Sequence, residues 1–486
     1  MKLTQLKLKN FRCFDELEID FHEQLTVLIA ANGAGKTTVL DAARIALSAY
    51  IKGIDVSSAR PHVLAKITRD DVRQIWTSTN MQPQLPSSIT AYGNWGEHSD
   101  RSWEVWRESV APNTRMRMDA DANELTKYAT ALQDQARSPD SNDETELPLI
   151  TYLGTGRLWF QGRYTKRVAE SDEDASDIDD SDSELDTDSE PDMQMYERIW
   201  GYENCLVASS SFKQFHEWYL WLFKSYQELQ VLQTEEPTDT NATDLAVLKA
   251  AVDAVQQAIN EVLGATGWRD LQYRRSAKAL VMHNENHGYM PLRLLSDGVR
   301  NTVAMVADIA FRCVRLNPQF GKEAAFKTKG VVLIDEVDMF LHPKWQQQII
   351  GSLQRAFPKL QFIVTTHSPQ VLTTVPNQCI RILDTIRKND QTLFVARQPD
   401  KQSRGVASND LLAELQHTNP TPDVPEAKWL SAYKALIQQN AHATPGGYDL
   451  KKKILNHFGD QHREWRECER LIRLQAIKAK LPPSNH

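Results

Sequence analysis

The sequence predicts an α/β fold on a parallel sheet, with a helical hairpin inserted into it and a small helical region after it. Three observations carry that expectation. The apolar run Leu25 to Ile29 leads into Ala30-Ala31-Asn32-Gly33-Ala34-Gly35-Lys36-Thr37-Thr38, Val331 to Ile334 ends in Asp335-Glu336, and Phe362 to Val364 ends in Thr365-Thr366-His367. Fully apolar strands that stop at polar clusters belong to sheets covered on both faces, whose ligands gather at the C-terminal strand ends.

The 486 residues, 41% hydrophobic and 25% charged, suit an ordinary globular protein with ample core. The net charge of −8 is unevenly spread, since thirteen acidic residues and no basic one lie between Glu170 and Asp192. The remainder holds 56 basic residues against 51 acidic ones, so a polyanionic partner is not excluded. No apolar run approaches the roughly 20 residues of a membrane span. The basic opening MKLTQLKLKNFR lacks a signal-peptide core, so a cytoplasmic chain is expected. Cys13, Cys205, Cys313, Cys379 and Cys468 are scattered and never spaced C-x-x-C, which argues for free thiols rather than a disulfide framework or zinc site.

Along the chain, Leu3, Leu6 and Leu8, then Leu17, Ile19 and Phe21, alternate with polar residues and predict two half-buried strands joined near residues 10–15. A helix is expected from about Lys36. Polar stretches at 77–100 and 137–147 allow no assignment. The acidic tract has too little apolar surface to offset the entropy of ordering and reads as a solvated loop, with competition for a basic groove as the functional alternative. Phe215, Trp218, Leu222, Tyr226 and Leu229 mark one helical stripe, and Pro237 breaks the chain. Leu245, Leu248, Val252, Val255, Ile259 and Val262 then step by three and four, the seam of a two-helix contact, either within the domain or between copies. A helix over 299–314 and another from about Asp449 to Lys480, rich in Lys and Arg, complete the reading. The resulting segments are an N-terminal lobe at 1–165, an acidic loop at 166–195, a hairpin insert at 196–270, a second lobe at 271–385 and a basic helical region at 386–486 for assembly or partner docking.

The chemistry sits at the strand ends. Residues 28–38 form a P-loop in which Gly33 and Gly35 let the backbone curl its amides toward phosphate and a helix N-terminus adds positive charge. Asn32, Ala34 and Thr38 complete the cradle, Lys36 can reach the β and γ phosphates, and the Thr37 hydroxyl can ligate Mg²⁺. Ala30 stands where the usual motif has its first glycine. Asp335 is expected behind that Mg²⁺, and Glu336 as the base or water-orienting group for attack on the γ-phosphate. His367 could stabilise γ-phosphate charge through a neutral imidazole. Ser296 or Asp297 would cap the following helix.

The order of P-loop, Ser296-Asp297-Gly298, Asp335-Glu336 and His367 resembles the ABC-type ATPases of the SMC, RecF and OLD group. Leu6 to Arg12 resembles that group's first strand, and Asp335 to Pro343 its Walker B and D-loop. The resemblance implies an ATPase head with a mixed sheet and flanking helices, using ATP and Mg²⁺, with Arg12 joining the nucleotide site. It also implies that Ser296-Asp297-Gly298, where the group has Ser-Gly-Gly, contacts the γ-phosphate of another subunit in a head-to-tail sandwich. The 257 residues between Thr38 and Ser296 are too few for long coiled-coil arms.

More narrowly, the compact insert, Tyr152 to Trp159 and Leu341-His342-Pro343 resemble the PtuA family, the ATPases of Septu anti-phage systems and of some retron operons. That resemblance implies a homo-oligomer with a separate HNH nuclease, a DNA or retron nucleic-acid partner, and Arg157 or Gln161 in the Q-loop role. Slow hydrolysis and no nuclease activity in this chain are expected, since no glutamate with Asp-x-Asp follows His367 on apolar strands. A RecF-like repair ATPase acting on duplex DNA is the alternative.

Overall fold

A computed structural model describes residues 1–55, 65–77, 80–138, 144–157, 197–207, 212–388, 391–416 and 418–478. Residues 1–411 form one compact unit and residues 412–486 a second.

The first unit is organised by a six-stranded sheet in the order Gln391–Arg397, Ile380–Lys388, Leu25–Ile29, Leu360–Thr365, Gly330–Ile334, Leu149–Leu153. All pairs are parallel except the antiparallel outer pair of Gln391–Arg397 with Ile380–Lys388, so the sheet is mixed. Every residue of the four strands from Leu25–Ile29 to Leu149–Leu153 is buried, which is why their sequences run apolar without alternation. Gly330 is required where two of them meet. It has φ +155°, and a Cβ there would stand 1.9 Å from the Leu149 carbonyl oxygen.

A second, antiparallel sheet runs Phe14–Asp20, Lys2–Phe11, Ser87–Trp95, His98–Arg107, Arg117–Met118. Its alternating strands bury Leu3, Leu6, Leu8, Leu17 and Ile19. The helix Lys36–Ile51 packs against strands of both sheets and is buried nearly all round, which explains its run of Ala, Ile and Leu. Gln361 ties the sheets together, accepting from Leu3 N at 2.8 Å and donating to Leu3 O at 2.6 Å.

The hairpin is formed by Phe212–Glu235 and Asp239–Leu263, with Thr238 capping the second helix by accepting from Asn241 N at 3.1 Å. Val252, Val255, Ile259 and Val262 of its seam are buried, and the second helix packs on Asp297–Leu316 as well as on its hairpin partner. The intradomain contact accounts for those four of its six residues. Three strands, Trp268–Arg274, Ala279–Asn284 and Gly288–Pro291, follow as a small antiparallel sheet.

Several elements differ from expectation. The 77–100 stretch that allowed no assignment contains the strand Ser87–Trp95, where small Ala91 and Gly93 occupy inward positions. The helix expected over 299–314 runs Asp297–Leu316. Ser296 is its N-cap by backbone position, with no side-chain hydrogen bond. The single C-terminal helix is two, Pro445–Phe458 and Arg463–Lys478, because Gly459 takes φ +80° and ends the first. With Pro425–Gln438 they enclose a small core of Tyr433, Ile437, Ile454, Trp465 and Cys468 in the second unit. All five cysteines are free, and only Cys13 is not fully buried.

Candidate functional site

The loop after Leu25–Ile29 curls through Gly33 at φ +77° and Gly35 at φ +97°, and the helix starts at Lys36. Gly35 is also needed sterically, since a Cβ there would lie 2.4 Å from the Phe14 ring. The helix has no side-chain cap and no acidic residue in its first turn. Its N-terminal positive charge is therefore not neutralised from within, the arrangement that attracts phosphate. Lys36 folds back under the loop, donating from Nζ to the carbonyls of Ala30 at 3.0 Å and Ala31 at 3.3 Å. Burial lowers its pKa, against the attraction of Asp335 and Glu336.

The strands Gly330–Ile334 and Leu360–Thr365 pair in the register Ile334 with Val364. Asp335 and Thr365 consequently emerge side by side at the same sheet edge. Thr37 Oγ1 donates to Asp335 Oδ2 at 2.9 Å, and Thr365 Oγ1 donates to Asp335 Oδ1 at 2.6 Å. The Thr365 hydroxyl also accepts from Glu336 N at 2.8 Å. Glu336 has φ +49°, a left-handed conformation that costs a non-glycine residue about 1–2 kcal/mol. Thr37 and Asp335 offer hard oxygen donors of the type Mg²⁺ takes alongside phosphate and water, so the residues present fit that ion.

His367 follows at the open end of the same edge and is exposed. Burial of part of the imidazole, then the Lys36 charge, lowers its pKa, while Glu336, Asp338 and Asp335 oppose the shift. The net direction favours the neutral ring. Thr366 donates to Asp338 and accepts from Ser368 N at 2.9 Å, fastening this turn to the segment after Glu336.

Arg12 lies at the end of the first strand with φ +48°. It donates from Nη1 to Asp41 Oδ2 at 2.6 Å and from Nε to Asp71 Oδ1 at 2.8 Å. Asp41 belongs to the P-loop helix and also pairs with Arg44 at 2.9 Å. Asn32 and Gly33 are exposed at the loop tip, Ala34 is half-buried, and Thr38 is buried.

Ser296 and Asp297 are exposed at the start of Asp297–Leu316. Asp297 pairs with Arg300. Gly298 packs so closely on the loop after Glu336 that a Cβ would stand 2.5 Å from Phe340 O. Asn301 Nδ2 reaches Met339 O at 3.4 Å. The close contacts of this segment thus run to residues 339–340, whereas Lys36, Thr37, Asp335, Glu336 and Thr365 form the cluster at the P-loop.

Arg157 ends the short turn Thr155–Arg157, directly after the strand whose Leu153 carbonyl accepts from Asp335 N at 2.9 Å. Gln161 and the acidic loop at 166–195 lie outside the described residues. Sequence reasoning missed Thr365, Asp41 and Asp71. The signal for Thr365 was a hydroxyl ending an apolar strand parallel to the one that ends in Asp335.

An AAA-domain family model matches residues 5–264, and a second AAA-domain model matches residues 164–373. The chain is 25% identical to "Retron Ec83 probable ATPase" of Escherichia coli over 504 residues, covering 94% of this chain and 84% of that protein. It is 36% identical to "Retron Vc95 probable ATPase" of Vibrio cholerae serotype O1 biovar El Tor over 34% of this chain and 31% of that protein. A shorter match, 43% identical over 17% of this chain and 11% of the other, is to "Septu protein PtuA" of Bacillus mycoides.

Proposed function

Because the chain belongs to the AAA-domain family, we propose that it is the ATPase of an anti-phage defence complex, hydrolysing ATP between head-to-tail copies to control an associated HNH nuclease. The defence setting is supported by the names of its relatives, two retron ATPases and a Septu protein. The ATPase reading is carried by one arrangement, Thr37 and Thr365 both donating to Asp335 beside Lys36.

In this reading the P-loop amides of residues 32–38 and the Lys36 ammonium hold the β and γ phosphates, with Arg12 at the edge of the nucleotide site. Thr37 and Asp335 hold Mg²⁺, which supplies charge neutralisation at the phosphates when bound. Glu336 orients a water and takes its proton as the water oxygen attacks the γ-phosphorus, releasing ADP and phosphate. His367 donates from its neutral ring to the γ-phosphate. Ser296 and Asp297 are exposed, and with Gly298, which is packed on Phe340, they reach the γ-phosphate of the partner copy. Arg157 or Gln161 serves as the Q-loop residue. The C-terminal region at 386–486, which includes the compact unit at 412–486, takes part in assembly or docking, and cutting belongs to the HNH partner, not to this chain.

Glu336→Gln tests the reading. The variant should bind ATP with unchanged affinity, lose turnover by about a hundredfold, and still copurify with an HNH protein encoded alongside it. Full turnover in that variant would remove Glu336 from the chemistry. Hydrolysis stimulated by duplex DNA, with no nuclease copurifying, would favour the RecF-like repair reading.

A further inference from the structure

We infer that Thr365 is a positioning residue for ATP hydrolysis, its single hydroxyl holding Asp335 in the orientation that faces Thr37 and fixing the backbone turn that presents Glu336. The inference rests on the reading of Asp335 and Glu336 proposed above and adds the group that sets both.

A threonine hydroxyl has one proton to donate and lone pairs to accept. Here the proton goes to Asp335 Oδ1 at 2.6 Å, and a lone pair takes the Glu336 amide at 2.8 Å. The other carboxylate oxygen of Asp335 is thereby left to Thr37 at 2.9 Å. The backbone reinforces the link, because Val337 N donates to Thr365 O at 3.0 Å. The Asp335-Glu336-Val337 turn is clasped by one residue of the neighbouring strand.

That clasp matters because Glu336 takes φ +49°, a conformation that persists in a non-glycine residue only where its surroundings over-determine it. Thr365 is 0% exposed, so water cannot replace its hydroxyl without opening the strand pair. Its β-branched side chain has restricted rotamers, which keeps the hydroxyl aimed. Asp335 and Glu336 carry different tasks in the reaction, and a shared partner makes their relative placement a single quantity set by the register of two strands. Sub-ångström looseness at such a point lowers the reaction rate more than it lowers ground-state binding.

The experiment compares Thr365→Val, Thr365→Ala and Thr365→Ser with Glu336→Gln in the full chain purified with whatever partner it carries. It measures steady-state hydrolysis, binding of a fluorescent ATP analogue with Mg²⁺, and thermal melting. The expected result is a fall in kcat of about tenfold or more for Val and Ala at nucleotide affinity within about twofold of the parent, with Ser restoring kcat to within about threefold. The Mg²⁺ concentration for half-maximal rate should rise in Val and Ala but not in Ser. Ala serves if Val does not fold.

A silent Ala variant beside an inactive Glu336→Gln would overturn the positioning role while leaving the site assignment standing. A Ser variant as impaired as Ala would do the same, because the hydroxyl would then not be the operative group. Full turnover in Glu336→Gln would overturn the site assignment first and the clasp with it.

Discussion

Arg12 holds Asp41 in a charged clasp, with Nη1 donating at 2.6 Å across from the end of the first strand to the P-loop helix. The same guanidinium reaches Asp71 through Nε at 2.8 Å, so one cation joins the antiparallel sheet, the helix and the 65–73 segment. The Asp41 and Asp71 side chains are only 10% and 8% exposed, against 32% for Arg12. Arg12→Ala would strand two nearly buried carboxylates, although Asp41 keeps Arg44. With allowance for that partner and for solvent at Arg12, the expected loss is about 2 kcal/mol. Urea unfolding of the single and Arg12→Ala/Asp41→Asn double variants checks it. The double should recover part of the loss, and strictly additive losses would remove the pair from the stability of this region.

Asp71 adds an acid limb. Burial works to raise its pKa, but hydrogen bonds from Thr68 N and Oγ1 at 2.7 Å and the Arg12 charge outweigh burial and leave it lowered. A carboxyl with a depressed folded pKa contributes stability that is fully present above its unfolded value, near 4, and is lost as pH falls through the folded value. Melting curves from pH 7 to 3 should therefore fall below about pH 4 less steeply in Asp71→Asn than in the parent. Parallel curves for the two proteins would contradict the assignment.

Asp308 and Arg312 lie one turn apart on Asp297–Leu316 and form an ion pair at 2.9 Å with side chains 0% and 2% exposed. Arg312 also donates to the carbonyls of Gly201 at 2.7 Å and Glu203 at 3.1 Å, pinning the 197–207 segment to the helix. Arg312→Met should cost about 3–5 kcal/mol, because it leaves a buried carboxylate without its cation. Adding Asp308→Asn should reduce that cost. A double variant less stable than Arg312→Met alone would show that packing, not charge, dominates there.

The distribution of what could be read from the sequence follows from where the determining forces act. Leu25 to Ile29 and Val331 to Ile334 were legible because burial on both faces leaves an unbroken apolar run. The loop and the helix start at Lys36 were legible because glycines at fixed spacing after a buried strand answer to backbone curvature. Ser87–Trp95 was hidden because Ala91 and Gly93 fill inward positions under Trp103, whose indole donates to Ala46 O at 2.9 Å. The three-stranded sheet from Trp268 to Pro291 gave no reading either, its strands being short and its outer face set with Arg269, Arg274 and His283. Thr365 left only the signal of a hydroxyl ending an apolar strand, and its partners, like those of Arg12, depend on how segments far apart in sequence meet in the fold.

The most discriminating prediction concerns the segment Ser296-Asp297-Gly298. Its close contacts run to residues 339–340, while Lys36 sits within a different cluster at the P-loop. If the two act on one ATP across a head-to-tail contact, each active site takes Lys36 from one copy and Ser296 from the other. Lys36→Ala should then abolish nucleotide binding, and Ser296→Arg should leave binding intact but abolish turnover. Mixing the two inactive proteins creates a further species. In a heterodimer one site carries both lesions and the opposite site carries neither. With random exchange half the dimers are mixed and half of their sites are intact, so about a quarter of parental turnover should return. The measurement is steady-state hydrolysis of the equimolar mixture after subunit exchange, with mass photometry to verify that exchange occurred. If Ser296-Asp297-Gly298 acted within its own chain, neither protein could complement the other, and verified exchange without recovered turnover would end the sandwich reading.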